Sequence, residues 1–429
     1  MRSVWGDRAH TMFRHCETVE NQGEGDTMPD GRRRTPAVPL RRVAPACVVG
    51  LLLGGLLGGP LIPPEPPARG KPPNRIQAAA APVAHVRAGS GIDGWQRVAV
   101  TGLQANSSLS DVVALGPNSV WIVGQQNVWD SWQNRAVLSR WDGTAWSEAT
   151  VRGDTIGADH LRSIAAASPT ELWTAGVAHD GGPYLARGDG NVFDRVNAPV
   201  LTATDWLGAV AAVPGRMVAV GSRGDKTLIV SADGGSWKIA DRPHEGTLYG
   251  VTLTGRDSGW TVGDSGDRPL IMRLSGKTWR TQRVPLVRNG FLRDVYAESA
   301  KRAWAVGGVY QGNGRYRPLV MKWNGKTWST VKTPASGAEL YGVTGDGKGR
   351  LWISGYDPAR PSQSFLLRLD GKRWSTQYGK PMAGSTAVRL QALARVPKTD
   401  VLWTVGHVVD RMGRYGELAE RSIRKRPSA

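Results

Sequence analysis

LSDVVAL, Leu109–Leu115, followed by VWIVG, Val120–Gly124, is the pair of runs whose repetition decides the fold. The leucine-led run returns as LRSIAAA at Leu161, LGAVAAV at Leu207, LYGVTLT at Leu248, LRDVYAE at Leu292, LYGVTGD at Leu340 and LQALARV at Leu390. That makes seven copies, 41 to 52 residues apart. Fourteen to sixteen residues after each leucine, a glycine closes a second run: Gly124, Gly176, Gly221, Gly263, Gly307, Gly355 and Gly406. Apolar residues alternate with period two in these runs, so each reads as a strand with one face on each neighbouring layer.

A third strand then runs into a turn and a fourth begins at an aromatic residue, as in VLSRWDGTAW, Val137–Trp146. Five further hairpins share the pattern: YLARGDGNVF, LIVSADGGSW, LIMRLSGKTW, LVMKWNGKTW and FLLRLDGKRW. Two small residues between strands need positive φ, which Asn, Asp and Gly adopt at least cost, so a tight two-residue turn is expected. Asp142 is therefore a turn residue. Ser or Asn stands in its place in other copies, which a catalytic aspartate would not permit.

Four strands in each of seven repeats predict an all-β, seven-bladed β-propeller. A lone blade leaves both apolar faces bare, and only packing blade on blade covers them. The chain has 18 Trp against 4 Phe and 9 Tyr, with 55 Gly and 27 Pro, and most Trp residues fall at equivalent repeat positions that suit the seams. The seventh repeat supplies two strands and GELAERS as a third, then lacks its hairpin arm. IDGWQRVAV, Ile92–Val100, carries the missing Asp-Gly and Trp ahead of the first repeat. The N-terminal strand is thus expected to pair into the last blade and close the ring.

The pattern VWAVG…L-x-R-W-D-G-x-x-W resembles the Trp-rich seven-bladed propellers of secreted and surface proteins of actinomycetes, over about Ile92 to Ile423. It is loosely similar to the Asp-box repeats of sialidase-type propellers. The nearest copy, Ser231–Trp237, is one residue short of that motif, and no arginine triad of the sialidase kind is found, so the resemblance implies architecture without that activity. Kelch repeats would show a Gly-Gly doublet after the second strand, which only Gly307-Gly308 does.

Ahead of the propeller, residues 1–42 form a basic segment with Arg32-Arg33-Arg34 and Arg41-Arg42. Residues 43–62 form an apolar run of signal-peptide or membrane-anchor length, and 63–90 a Pro/Ala-rich linker. Alanine cleavage patterns at Ala78–Ala81 lie far from the apolar run, which leaves an uncleaved anchor open, and Met28 is an alternative start. The propeller is expected over 91–423 and a basic tail over 424–429. The two cysteines, Cys16 and Cys47, both precede the propeller, which excludes disulfides and cysteine-ligated metal within it.

Ligands meet a propeller where the loops between strands two and three, and from strand four to the next strand one, gather around the channel. QQNVWDSWQNR after Gly124, GVYQGNGRYRP at Gly308, YDPARPSQS after Gly355 and HVVDRMGRYG after Gly406 are the longest loops there. They carry aromatic residues outside the repeat pattern, Trp129, Trp132, Tyr310, Tyr316, Tyr356 and Tyr415, to which Trp206 is added. With Arg360 and His407 these form the candidate ligand-binding set, suited to stacking on sugar rings or peptide side chains. The structural alternative for Trp129 and Trp132 is that large rings pin long loops. The propeller histidines His160, His179, His244 and His407 are read as loop residues too dispersed to share a site, and no metal or cofactor is expected. Asp205, Asp225, Asp264, Asp267, Asp357 and Asp410 lie on or near this face as possible acids for an enzyme.

Net charge is +19, of which residues beyond the first ninety carry 43 Lys/Arg against 29 Asp/Glu. Such a domain is drawn to anionic polymers. Its basic residues are spread without a nucleic-acid-binding module, so nucleic acid is not expected. These features point to a monomeric, exported or cell-surface, non-catalytic propeller that binds a carbohydrate, cell-wall polymer or protein. Membrane contact is expected only through the apolar run. A glycoside hydrolase or lyase-type enzyme and a structural surface domain are the alternatives.

Overall fold

In every repeat the leading leucine pairs with the second-strand glycine, as in Leu109 with Gly124, Leu248 with Gly263 and Leu390 with Gly406. Immediately after each leucine the register shifts, leaving one inner-strand residue without a partner; this β-bulge occurs in all seven blades. The bulge pushes the inner strand's backbone against the glycine. A Cβ at Gly263 would overlap the Thr247 carbonyl oxygen and lie 2.8 Å from its carbon and 2.9 Å from Leu248 Cα, so the close approach requires glycine.

The computed structural model describes residues 94–130 and 133–422. Seven sheets, each built on four antiparallel strands, follow one another, the first from Ser108–Gly116, Ser119–Gln126, Arg135–Trp141 and Trp146–Glu148. The second blade gains a fifth strand, because Val151–Arg152 of the connecting chain pairs in parallel with its outer strand, Phe193–Arg195. Trp95–Arg97 pairs antiparallel with Tyr415–Ser422 and becomes the outer strand of the last blade. The expected ring closure is therefore present.

Six of the seven seams between blades are filled by the same device. The second-strand Trp of one blade meets the outer-strand aromatic of the next: Trp121 with Phe193 at 5.3 Å, Trp173 with Trp237 at 6.2 Å, Trp260 with Trp328 at 5.1 Å, Trp304 with Trp374 at 6.3 Å and Trp403 with Trp146 at 5.4 Å. Val218 and Trp279 fill the corresponding seam between the third and fourth blades, and Trp352 and Trp95 that between the sixth and seventh. Trp95 thus supplies the seventh ring from the opposite end of the propeller. Such edge-on pairs add about 0.5–1.5 kcal/mol beyond the area they bury.

Near the axis, polar side chains tie one inner strand to the next. Asp111 accepts the Ser163 hydroxyl and the Ile164 N–H, both at 2.9 Å, and Ser163 in turn accepts the Val210 N–H at 3.2 Å. Asp294 likewise accepts the Val343 N–H at 2.8 Å. Burial pushes the pKa of Asp111 up to about 7 and that of Asp294 up to about 6, against the pull of these donors.

The hairpin turns divide into two kinds, which corrects the expectation of uniform two-residue turns. Gly234-Gly235 joins Asp233 to Ser236 with φ of 56° and 89°, a two-residue turn. In the first blade the loop is four residues, Asp142 to Ala145, and Asp142 Oδ1 accepts the N–H groups of Thr144 at 2.7 Å and Ala145 at 2.9 Å. Asn324 does the same in the fifth blade. A side-chain acceptor at the first loop position caps the donors that one more ladder pair would otherwise use. Those donors hold the Asp142 carboxyl down at about 2, and Trp141 and Trp146 pack on Trp403 beneath it. The residue is construction.

Candidate functional site

The bulge that demands glycine also aims a side chain. The unpaired residue after each leading leucine is Ser110, Arg162, Gly208, Tyr249, Arg293, Tyr341 or Gln391, and all seven line one cavity of about 210 Å³. Because each inner strand contributes one residue, the cavity lies on the ring axis, at the face where the inner strands begin. Four inner-strand residues preceding the leucines complete much of the wall: Ser108, His160, Trp206 and Arg389. Gln125, His407 and Tyr415, from the first and seventh blades, fill the remainder.

Three arginines are held by aromatic rings. The Arg162 guanidinium lies 5.6 Å from the Trp206 ring, that of Arg293 4.6 Å from Tyr341 and that of Arg389 4.2 Å from Tyr356. Arg389 also donates to the Tyr341 hydroxyl at 2.7 Å, which donates to Glu339 at 2.8 Å. Burial works against the Arg389 charge, but Tyr341 and Glu339 outweigh it and hold its pKa above the ordinary arginine value. A ring face within about 6 Å of a guanidinium attracts its charge.

Two serine–imidazole pairs sit beside them. Ser108 Oγ is 2.8 Å from His407 Nδ1, and Ser110 Oγ is 2.7 Å from His160 Nε2. Burial drives His407 down to about 3, with Arg389 adding to the effect, and drives His160 well below its ordinary value, with Arg162 adding. Both rings are neutral at physiological pH, so they offer hydrogen bonds without charge.

Several sequence expectations are corrected here. His160 and His407 are strand residues, in Ala158–Ser168 and Leu402–Asp410, and they line the same cavity; only His179 and His244 are in loops. The register of each inner strand, which a loop reading ignores, brings the first two together across the first blade. Trp206 is likewise on a strand, Asp205–Val213. GVYQGNGRYRP is mostly an extended hairpin, with Tyr310 opposite Tyr316 and their rings 5.5 Å apart.

Of the candidate ligand-binding set, Trp206, His407 and Tyr415 line the cavity. Tyr356 backs Arg389. Trp129, 53% exposed, donates to the Gly413 carbonyl at 3.1 Å and edges on Tyr415 at 5.4 Å, which joins the first blade's long loop to the seventh blade's hairpin. Tyr310 and Tyr316 cluster with Phe291, and Arg360 lies 4.4 Å from the Tyr378 ring; Tyr310, Tyr316 and Arg360 do not line the cavity. Trp132, Asp93 and the whole targeting segment lie outside the described residues.

The six loop-face aspartates serve local structure. Asp205 pairs with Arg223 at 2.6 Å, Asp410 with Arg414 at 2.7 Å and Asp267 with Arg268 at 3.1 Å. Asp225 lies 3.8 Å from Lys226, while Asp264 and Asp357 accept tyrosine hydroxyls from Tyr249 and Tyr378. None of them lines the cavity. Among the described residues no three His, Cys, Asp or Glu side chains come together as metal ligands.

Sequence reasoning missed Arg162, Arg293, Arg389, Tyr249, Tyr341 and Gln391. The signal was present: the position after each leading leucine breaks the apolar alternation in every repeat.

No family model and no curated protein matches the chain. Solved structures share its fold. YCF48 bound to D1 peptide matches with a TM-score of 0.52 and 15% identity over 79% of this chain and 99% of that one. The GH74 xyloglucanase from Xanthomonas campestris matches with a TM-score of 0.52 and 19% identity over 76% of this chain and 53% of that one. U3-55K gives a TM-score of 0.52 and 11% identity over 78% of this chain and 100% of that one. The chain thus spans about half the length of the xyloglucanase. At these identities the likeness is one of fold.

Proposed function

We propose that this chain is an exported, surface-directed binding propeller that engages a glycan, cell-wall polymer or protein partner through its channel-mouth cavity. One observation carries the reading: the bulges of all seven inner strands bring their unpaired residue to a single cavity, and six of the seven, all but Gly208, bear a side chain. A fold that needed only to be a ring would not require bulge residues as costly as Arg162, Arg293 and Tyr249 to converge there. The cavity lining includes aromatic rings, hydroxyls, amides and guanidinium groups, the mixture that orients a polar ligand. Glycoside hydrolysis uses a pair of carboxylates flanking the bond, and the lining includes no Asp or Glu, so binding is the reading its residues support best.

The test is retention of the full chain on a glycan array and on purified cell wall, with Trp206→Ala and Tyr415→Ala as the disabling pair. Wild type is expected to be retained and the double variant lost, with melting curves that superimpose. Equal retention of both proteins, or none by wild type, refutes the reading.

A further inference from the structure

The cavity has one sign of charge. Arg162, Arg293 and Arg389 enter it from the second, fifth and seventh blades, and no carboxylate is among its lining residues. Glu339 stands behind Arg389 at 3.5 Å and balances part of that charge. Asp264 accepts the hydroxyl of the lining Tyr249 at 2.8 Å, and the inner-strand carboxylates of Asp111 and Asp294 are turned into hydrogen bonds with the backbone of the next blade. The imidazoles of His160 and His407 are already engaged with serine hydroxyls.

The uncharged wall narrows the ligand further. Trp206, Tyr249, Tyr341 and Tyr415 contribute aromatic rings to the lining, and Gln125 and Gln391 contribute amides. Aromatic faces suit the C–H surface of a pyranose, and amides suit its hydroxyls. Pockets for drug-sized ligands are about 300–1,000 Å³, so a cavity of about 210 Å³ suits a smaller ligand such as a single sugar ring. Guanidinium groups match the planar, two-oxygen shape of a carboxylate.

We propose that the cavity binds the carboxylate of a hexuronate-type acidic sugar presented by an anionic glycan or cell-wall polymer. This rests on the binding reading above and specifies its ligand. The arginines hold the carboxylate, the aromatic rings hold the sugar ring, and neutral sugars lack the group that the site is charged to receive.

The experiment is calorimetric titration of the full chain with D-glucuronate, D-glucose, inorganic phosphate and a short oligoglutamate peptide. Glucuronate is expected to bind at least ten-fold tighter than each of the others. Gln391→Glu places a carboxylate among the arginines as an internal competitor and is expected to erase the preference for glucuronate over glucose while the melting curve stays at or above wild type. Arg293→Met is expected to weaken glucuronate binding at least ten-fold. Equal binding of glucuronate and glucose, equal or tighter binding of phosphate or the peptide, or an unaltered preference in Gln391→Glu overturns the assignment. Trp206-dependent retention on glycan or cell wall with no preference for glucuronate overturns this inference and leaves the binding reading standing. Loss of both overturns both.

Discussion

Gly263→Ala tests the link between the repeat pattern and the bulge. The added methyl would overlap the Thr247 carbonyl oxygen and stand 2.8 Å from its carbon and 2.9 Å from Leu248 Cα, all backbone atoms that no side-chain rotation can move. The two strands must separate, which breaks ladder bonds on either side of Leu248, in a region where Leu248, Val262 and Thr261 are fully buried. Two backbone hydrogen bonds lost in the core cost about 1–3 kcal/mol each once their groups go unsatisfied, or about 2–6 kcal/mol together. Alanine recovers about 0.4–1 kcal/mol by restricting the unfolded chain. The net expectation is a loss of about 1–6 kcal/mol, a large share of the roughly 5–15 kcal/mol that holds a domain folded. The assay is urea unfolding followed by tryptophan fluorescence, with Gly116→Ala as the control. A Cβ at Gly116 meets nothing within 4 Å and its φ is not positive, so that variant is expected to match or slightly exceed wild type. If Gly263→Ala unfolds within about 1 kcal/mol of the control, the bulge is not what the glycines serve.

Two further predictions follow from the closure. Deleting Gly91–Val100 removes Trp95 and the outer strand of the last blade, and is expected to abolish the cooperative melt; a normal transition in calorimetry would show the ring closed some other way. Glu420, in the strand that Trp95–Arg97 joins, is fully buried, and burial pushes its carboxyl up to about 7 from 4.5, with Ser364 and Arg97 opposing the rise. A carboxyl raised on folding contributes stability that is present below the unfolded value and lost as pH rises through the folded one. At about 1.36 kcal/mol per unit, the loss between pH 4.5 and 7 is about 3 kcal/mol. Glu420→Gln is expected to be spared that loss, so its melting temperature should gain on wild type between pH 5 and 8. A constant difference across that range would contradict the assignment.

The Asp142 hairpin shows how a turn can be legible in role and not in form. Its Asp-Gly pair marks a reversal whichever geometry is adopted, and the six copies keep the same number of residues between the paired third-strand position and the aromatic. Whether the loop closes as two residues or four depends on whether the side chain or one more ladder pair takes the N–H groups, a balance of a single hydrogen bond. His160 and His407 show the opposite case. In sequence they border runs that resemble loops, and their separation argues against a shared site. The ring places both beside the first blade's inner strand, where Ser110 and Ser108 meet them.

Sequence by itself determined the seven blades, their four-strand plan, the seam aromatics and the closing strand, because each rests on a local period that recurs and on a complementary piece missing from one end. The leucine–glycine spacing was legible for the same reason. Only the tertiary structure decided which side chains meet on the axis. A bulge turns one residue per blade inward, and residues from Ser110 to Gln391 then share a cavity although no pair of neighbouring copies is closer than 41 residues in the chain. Periodicity reports what a strand packs against on its own two faces; convergence around a ring depends on closure, which no single repeat encodes.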